Sequence, residues 1–222
     1  MFTQLASEIR NIQWHEPRCA ARQACRLLEA LAADHEGLRH AVSGCRSSPR
    51  LWDMCEHYDI LDKLVLYHDR DTDTRLRLHL FKGGPFDRPH NHRWPYAAHI
   101  LVGAYEHLLY TLADGIATPG DLPRPDDLQL EFAEYRKQGT SYFLKENLYH
   151  AIGAEPGTAT LIVRGPATRD HFTVMDKGQG RSWVQTAQIH EPVTERNRKR
   201  MTDAQYQDAV QQLEKLGVIT PW

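Results

Sequence analysis

The chain has 222 residues, 41% of them hydrophobic and 25% charged, with 27 basic against 29 acidic side chains and a formal net charge of −2. That length holds one ordinary hydrophobic core without staples, and the near-neutral balance leaves no electrostatic footprint for nucleic acid or an anionic membrane. No apolar run is long enough to span a bilayer, and the first residues lack the basic start and apolar core of a signal peptide, so a cytoplasmic protein is the expectation.

The first stretch reads as helical. Phe2, Leu5, Ala6, Ile9 and Ile12 recur at helical spacing, and Pro17 suits the first turn of a second helix with Ala20, Ala24, Leu27, Leu28 and Leu31 on one stripe, ended by Gly37. Ser48 and Pro49 read as the N-cap and first position of a third helix carrying Leu51, Trp52 and Cys55. Residues 1–57 are thus a helical lead-in packed on the strands of the central segment. All four cysteines, Cys19, Cys25, Cys45 and Cys55, fall within it; without CxxC spacing they read as structural thiols in a reducing compartment.

From Tyr58 the period changes to that of strands. Leu61 to Tyr67 is β-compatible, and Arg75 to Phe81 alternates, with Leu76, Leu78 and Leu80 on one face and Arg75, Arg77, His79 and Phe81 on the other. Gly83, Gly84 and Pro85 form a turn, and the histidine stretch then reads as the next strand, which Ala104 to Leu112 continues or pairs with. Asp114 to Asp127, with Pro119, Pro123 and Pro125, is a proline-rich excursion. Leu128 to Tyr135, Thr140 to Leu144 and Thr158 to Arg164 are further short strands, so residues 58–185 predict a sandwich or barrel. Residues 186–222 predict a basic linker, Arg196 to Arg200, and a final helix. That helix opens on the capping box Thr202 and Gln205, carries Tyr206, Val210, Leu213 and Leu216, and stops at Gly217. It packs on the strands or on a second subunit, which leaves a homodimer open; all three segments form one domain.

The chemistry concentrates in Pro89 to Tyr110. His90 and His92 are one residue apart, and on a strand such side chains share a face about 7 Å apart, within reach of one metal ion. His150 stands where a later strand meets a turn, a rigid place for a third ligand that still leaves access. Three neutral imidazoles leave open positions for substrate and for dioxygen or water. A histidine-only set takes Fe, Ni, Cu, Zn or Mn.

The HxH motif running on to Gly103, with a later histidine in LYHAIGAEPGTATLIVRGP, resembles the two motifs of the cupin superfamily. The usual cupin glutamate is absent, with Tyr96 or Ala97 near its place. Three histidines without the acid, after a helical N-terminal segment, resemble the cysteine dioxygenase-like thiol dioxygenases, over about Tyr58 to Pro166. The resemblance implies a mainly β, cupin-type jelly-roll barrel flanked by N-terminal helices and a C-terminal helix, Fe(II) on His90, His92 and His150, and dioxygen as co-substrate. It departs from that family at three points. Asp62 and Lys63 stand where the family holds substrate with an early-strand arginine, Arg164 stands at its catalytic tyrosine, and no cysteine after Cys55 is present to crosslink a tyrosine.

Fe(II) with three neutral ligands keeps its full charge and favours a small anionic substrate: a carboxylate, a thiol or an amino acid. A carboxylate calls for a guanidinium, for which Arg164 is the first candidate and Arg77 the second. Tyr96 and Tyr149 bring hydroxyls towards the ligands. His99 falls on the opposite face by simple alternation unless Pro95 resets the register, in which case it supports the ligands from behind; the role of His107 is open. Trp94 reads as packing at the mouth. Three activities compete: an Fe(II) dioxygenase, a metal-dependent lyase or isomerase using the ion as Lewis acid, and a non-enzymatic small-ligand binder.

Overall fold

The computed structural model describes residues 2–113, 122–187 and 191–221. The side chain of Phe2 and residues 114–121 of the expected proline-rich excursion, Pro119 among them, lie outside the described residues.

Four helices open the chain: α1 (Phe2–Arg10), α2 (Pro17–Ala32), α3 (His35–Ser47) and α4 (Pro49–Trp52). Pro17 and Pro49 start α2 and α4 as their fixed φ predicts. The sequence reading missed α3. Gly37, taken as a stop, lies in its first turn, where its amide donates to the side chain of the N-cap Asp34 at 2.8 Å. Cys45 and Cys55 are buried, and all four cysteines are free thiols.

The strands are β1 (Glu56–His57), β2 (Leu61–His68), β3 (Arg75–Phe81), β4 (Tyr96–Val102), β5 (Ala104–Leu112), β6 (Leu128–Lys137), β7 (Ser141–Leu144), β8 (Tyr149–Ala154), β9 (Ala159–Arg164), β10 (His171–Asp176) and β11 (Arg181–Thr186). One layer is a six-stranded antiparallel sheet in the order β1-β2-β3-β9-β4-β7. The second layer comprises β6-β5-β8 and the hairpin β10-β11. His90 bridges both parts of it, pairing with His150 on β8 and Val174 on β10. The histidine stretch is therefore not the next strand of the hairpin sheet but an extended wedge in the opposite layer.

Gly103 (φ +77°) directs the chain from one layer to the other, and β5 pairs with β6 and β8 rather than with β4. A Cβ there would lie 2.5 Å from Thr158 Oγ1, so glycine meets two demands at once. Among the described residues no ladder joins the layers, so the expected barrel is two packed sheets.

Period-2 alternation on the first sheet serves two cores. Leu76, Leu78 and Leu80 of β3 and Leu161 and Val163 of β9 pack on Leu28, Val42 and Leu213 from the helices. Each such burial is worth roughly 1.5–3 kcal/mol. The other face turns to the second layer, with Phe81, Tyr96, Ala98 and Ile100 against Tyr105 and Ile152. At the C-terminus the expected basic linker is instead a short helix, α5 (Val193–Lys199), with Lys199 bonded to Glu191 at 2.7 Å. The last helix, α6 (Asp203–Lys215), carries the expected capping box and lays Tyr206, Val210 and Leu213 in the helix–sheet core.

Candidate metal centre

His90 and His150 form a hydrogen-bonded antiparallel pair, each amide donating to the other's carbonyl at 2.9 Å, which puts both imidazoles on one face. On the other side of the wedge Met175 N donates to Pro89 O at 2.8 Å and Thr173 N to the Asn91 side chain at 2.7 Å. His92 comes next, its amide bonded to Glu146 O at 3.1 Å. Rigid backbone thus carries all three rings to one point: the ring centroids lie 4.6–5.0 Å apart, and one nitrogen of each lies within 4.8 Å of the others. His150 is buried while His90 and His92 are partly open, so one side of the group is approachable.

The tautomers fit a metal. His90 Nδ1 is 2.8 Å from Arg88 O, so it carries the proton and leaves Nε2 free to ligate. His150 Nδ1 is 3.0 Å from Nε2 of the fully buried His107, a contact that holds the ring in place and leaves its Nε2 directed at the other two histidines. His92 Nε2 and His150 Nε2 stand 2.8 Å apart, a contact that needs one shared proton and that an ion would replace. Nitrogens on one ion at ~2.1 Å stand about 3.3 Å from each other, so an ion would draw the widest pair together. Burial, followed by the neighbouring histidines, holds the His92 and His150 imidazoles well below their ordinary pKa, which keeps them neutral as ligation requires.

Around the histidines the expected residues divide. Tyr96 is brought in, with its ring 5.0 Å from His92 and 6.0 Å from His150; burial pushes its phenol well above the ordinary range, so it acts only as a neutral hydroxyl. Trp94 does more than pack at a mouth, since it stacks on His92 at 4.6 Å. His99 is not brought in. It keeps simple alternation and bonds Ser141 at 2.8 Å, which in turn donates to Glu29 on α2. Tyr149 lines a cavity of about 450 Å³ with Asn91 and Tyr110, on the opposite face of β8 from His150.

The two candidate arginines are both present, in different states. Arg164, 3% exposed at its side chain, donates to Asp73 at 3.0 Å and to Gly165 O at 2.9 Å. Arg77 faces no carboxylate at ion-pair distance among the described residues. Both guanidinium carbons lie 5.4 Å from the Trp94 ring centre. Burial first, then the other arginines, draws Arg77 down to about 10 and Arg164 to about 8. His107 is the residue that sequence reasoning left unassigned. It sits diagonally across the β5–β8 ladder, where His150 pairs with Leu109, a contact visible only once that register is known.

No family model matches the chain, and no curated protein does. Among solved structures it is similar to KdgF from Halomonas sp., with 16% identity and a TM-score of 0.36 over 49% of this chain and 82% of that one. It is also similar to vicilin from Corylus avellana (hazelnut), with 10% identity and a TM-score of 0.37 over 50% of this chain and 30% of that one. Neither overlap carries an argument about fold or chemistry. The donor set does: three buried or half-buried imidazoles, two of them held by their second nitrogens, suit a divalent transition metal.

Proposed function

We propose that the chain is a metal-dependent enzyme of cupin type with a jelly-roll arrangement of its two sheets, and that it oxidises a small anionic substrate with dioxygen. The observation that carries the reading is the convergence of His90, His92 and His150 near an arginine that has no carboxylate partner among the described residues. Fe(II) on these histidines would supply dioxygen binding and electron transfer next to the substrate.

The chain's own residues do the rest. The Arg88 carbonyl holds His90 in the ligating tautomer, and His107 holds the His150 ring in place. Arg77, which faces no carboxylate at ion-pair distance among the described residues, takes the substrate's anionic group, beside the Arg164 fork that Asp73 and the Gly165 carbonyl hold in place. Trp94 walls the space between that arginine and His92, and the neutral Tyr96 offers a hydroxyl beside the reacting atoms.

The all-imidazole set equally suits a Lewis-acid ion, which keeps a lyase or isomerase as the second reading. An oxygen electrode separates them. Iron-loaded protein given a panel of small carboxylates, thiols, amino acids and phosphorylated compounds consumes oxygen with at least one, and His92→Ala abolishes the uptake. Turnover of a panel member without oxygen uptake moves the assignment to the Lewis-acid reading, and a protein that binds panel members but no metal is a ligand binder.

A further inference from the structure

Three arginines share one patch of the inter-sheet face. Arg75 and Arg77 alternate on β3 with the leucines that enter the helix core, and the register of β3 with β9 sets Arg164 opposite Arg75. Among the described residues one carboxylate pairs with this group. Asp73 Oδ1 takes Arg75 at 3.0 Å, and its Oδ2 takes Arg164 at the same distance. Asp73 also holds His68 at 2.8 Å and has the positive φ (+53°) of a residue bent to its task. The nearby acids Glu56 and Glu191 are engaged by lysines, Glu56 by Lys63 at 2.6 Å and Glu191 by Lys199 at 2.7 Å.

Among the described residues two positive charges of this group are therefore left without a carboxylate partner in a largely buried space. The Nε atoms of Arg75, Arg77 and Arg164 are all buried without a partner, as are Nε2 of His79 and Oγ1 of Thr160, which face each other across β3 and β9. Buried donors are seldom left unsatisfied, and like charges gathered away from water repel. A cluster with both features is completed by something else.

We infer that the Arg75–Arg77–Arg164 cluster is the seat of a doubly charged tetrahedral oxyanion of the phosphate class, carried by the molecule on which the metal centre acts. A carboxylate fills one guanidinium fork and cancels one charge. A phosphoryl group carries nearly two charges at neutral pH and three acceptor oxygens, matching an excess of two charges on rigid forks. Asp73 pre-orients two of the forks, and Trp94 lies between this seat and His92, so the oxyanion and the reacting atom sit one indole apart. That the anion belongs to the substrate rests on the metal-centre reading; the seat itself does not.

The test uses thermal shift on the full chain as purified, with inorganic phosphate as the probe and acetate at matched ionic strength as control. Phosphate raises the melting temperature saturably and acetate does not. Arg77→Met melts higher than wild type without phosphate, because a repelled charge is gone, and loses the response. Arg77→Lys keeps the charge without the fork and needs roughly tenfold more phosphate for half-saturation. His90→Ala, run in parallel, keeps the response. Equal shifts from acetate, an unchanged midpoint in Arg77→Lys, or a response lost in His90→Ala but kept in Arg77→Met would overturn the inference; the last outcome places phosphate on the metal and leaves the metal reading standing.

Discussion

His90 and His150, sixty residues apart in sequence, exchange both backbone hydrogen bonds at 2.9 Å and so present their rings as neighbours on one face. The candidate metal centre is thus built from a strand and a wedge in the same layer. Its geometry depends on the hydrogen-bonded sheet rather than on the flexibility of a loop.

His107 touches the candidate centre through His150. His107→Leu removes the hydrogen-bond partner of His150 Nδ1 and weakens metal affinity by roughly 10–100-fold. His107→Gln, whose carboxamide reaches a similar point, restores most of it. A competition titration with a chromogenic chelator reads both, and equal affinity in His107→Leu and wild type would remove His107 from the site.

His99 gives the opposite expectation. His99→Leu leaves metal content unchanged, because the ring points to Ser141 and α2, while the lost hydrogen bond costs about 1 kcal/mol in urea unfolding. Loss of metal in this variant would mean that β4 runs in another register.

Gly103 joins the two layers. Gly103→Ala combines a left-handed backbone, about 1–2 kcal/mol for a residue with a Cβ, with an approach of 2.5 Å to Thr158. The variant unfolds at clearly lower denaturant than wild type and, because β5 carries His107, loosens metal binding as well.

Asp69 makes stability depend on acid pH. Burial opposes its charge, but Arg10 and the amides of Thr72 and Asp71 win and hold the carboxyl at about 2. The folded value lies below the unfolded one near 4, so its contribution is complete above about pH 4 and is lost as pH falls towards 2. Asp69→Asn is less stable than wild type at neutral pH by roughly 1–2 kcal/mol, and the gap closes in that acid window. A gap independent of pH would assign the loss to packing.

Much of the sheet structure was legible because alternation is local. β3 spans the predicted Arg75–Phe81, and the strict alternation there foretold the division between the leucine core and the arginine face. The HxH spacing and the strand position of His150 were equally readable. What escaped depends on register or on context. Gly37 inside a first turn looks like Gly37 after a last one until Asp34 is seen capping it. The bridging place of His90 needs both β8 and β10, and β10 and β11 were not predicted as separate strands. The arginine cluster needs Arg164 set opposite Arg75 and an aspartate from the β2–β3 turn between them.

The central claim is the three-histidine metal centre, and metal content of the anaerobically purified protein tests it most directly, beside His90→Ala and His150→Ala. The account predicts near-stoichiometric iron in the wild type and its loss in both variants, with circular dichroism unchanged. A wild type without bound metal, or His150→Ala retaining its full complement, would contradict it.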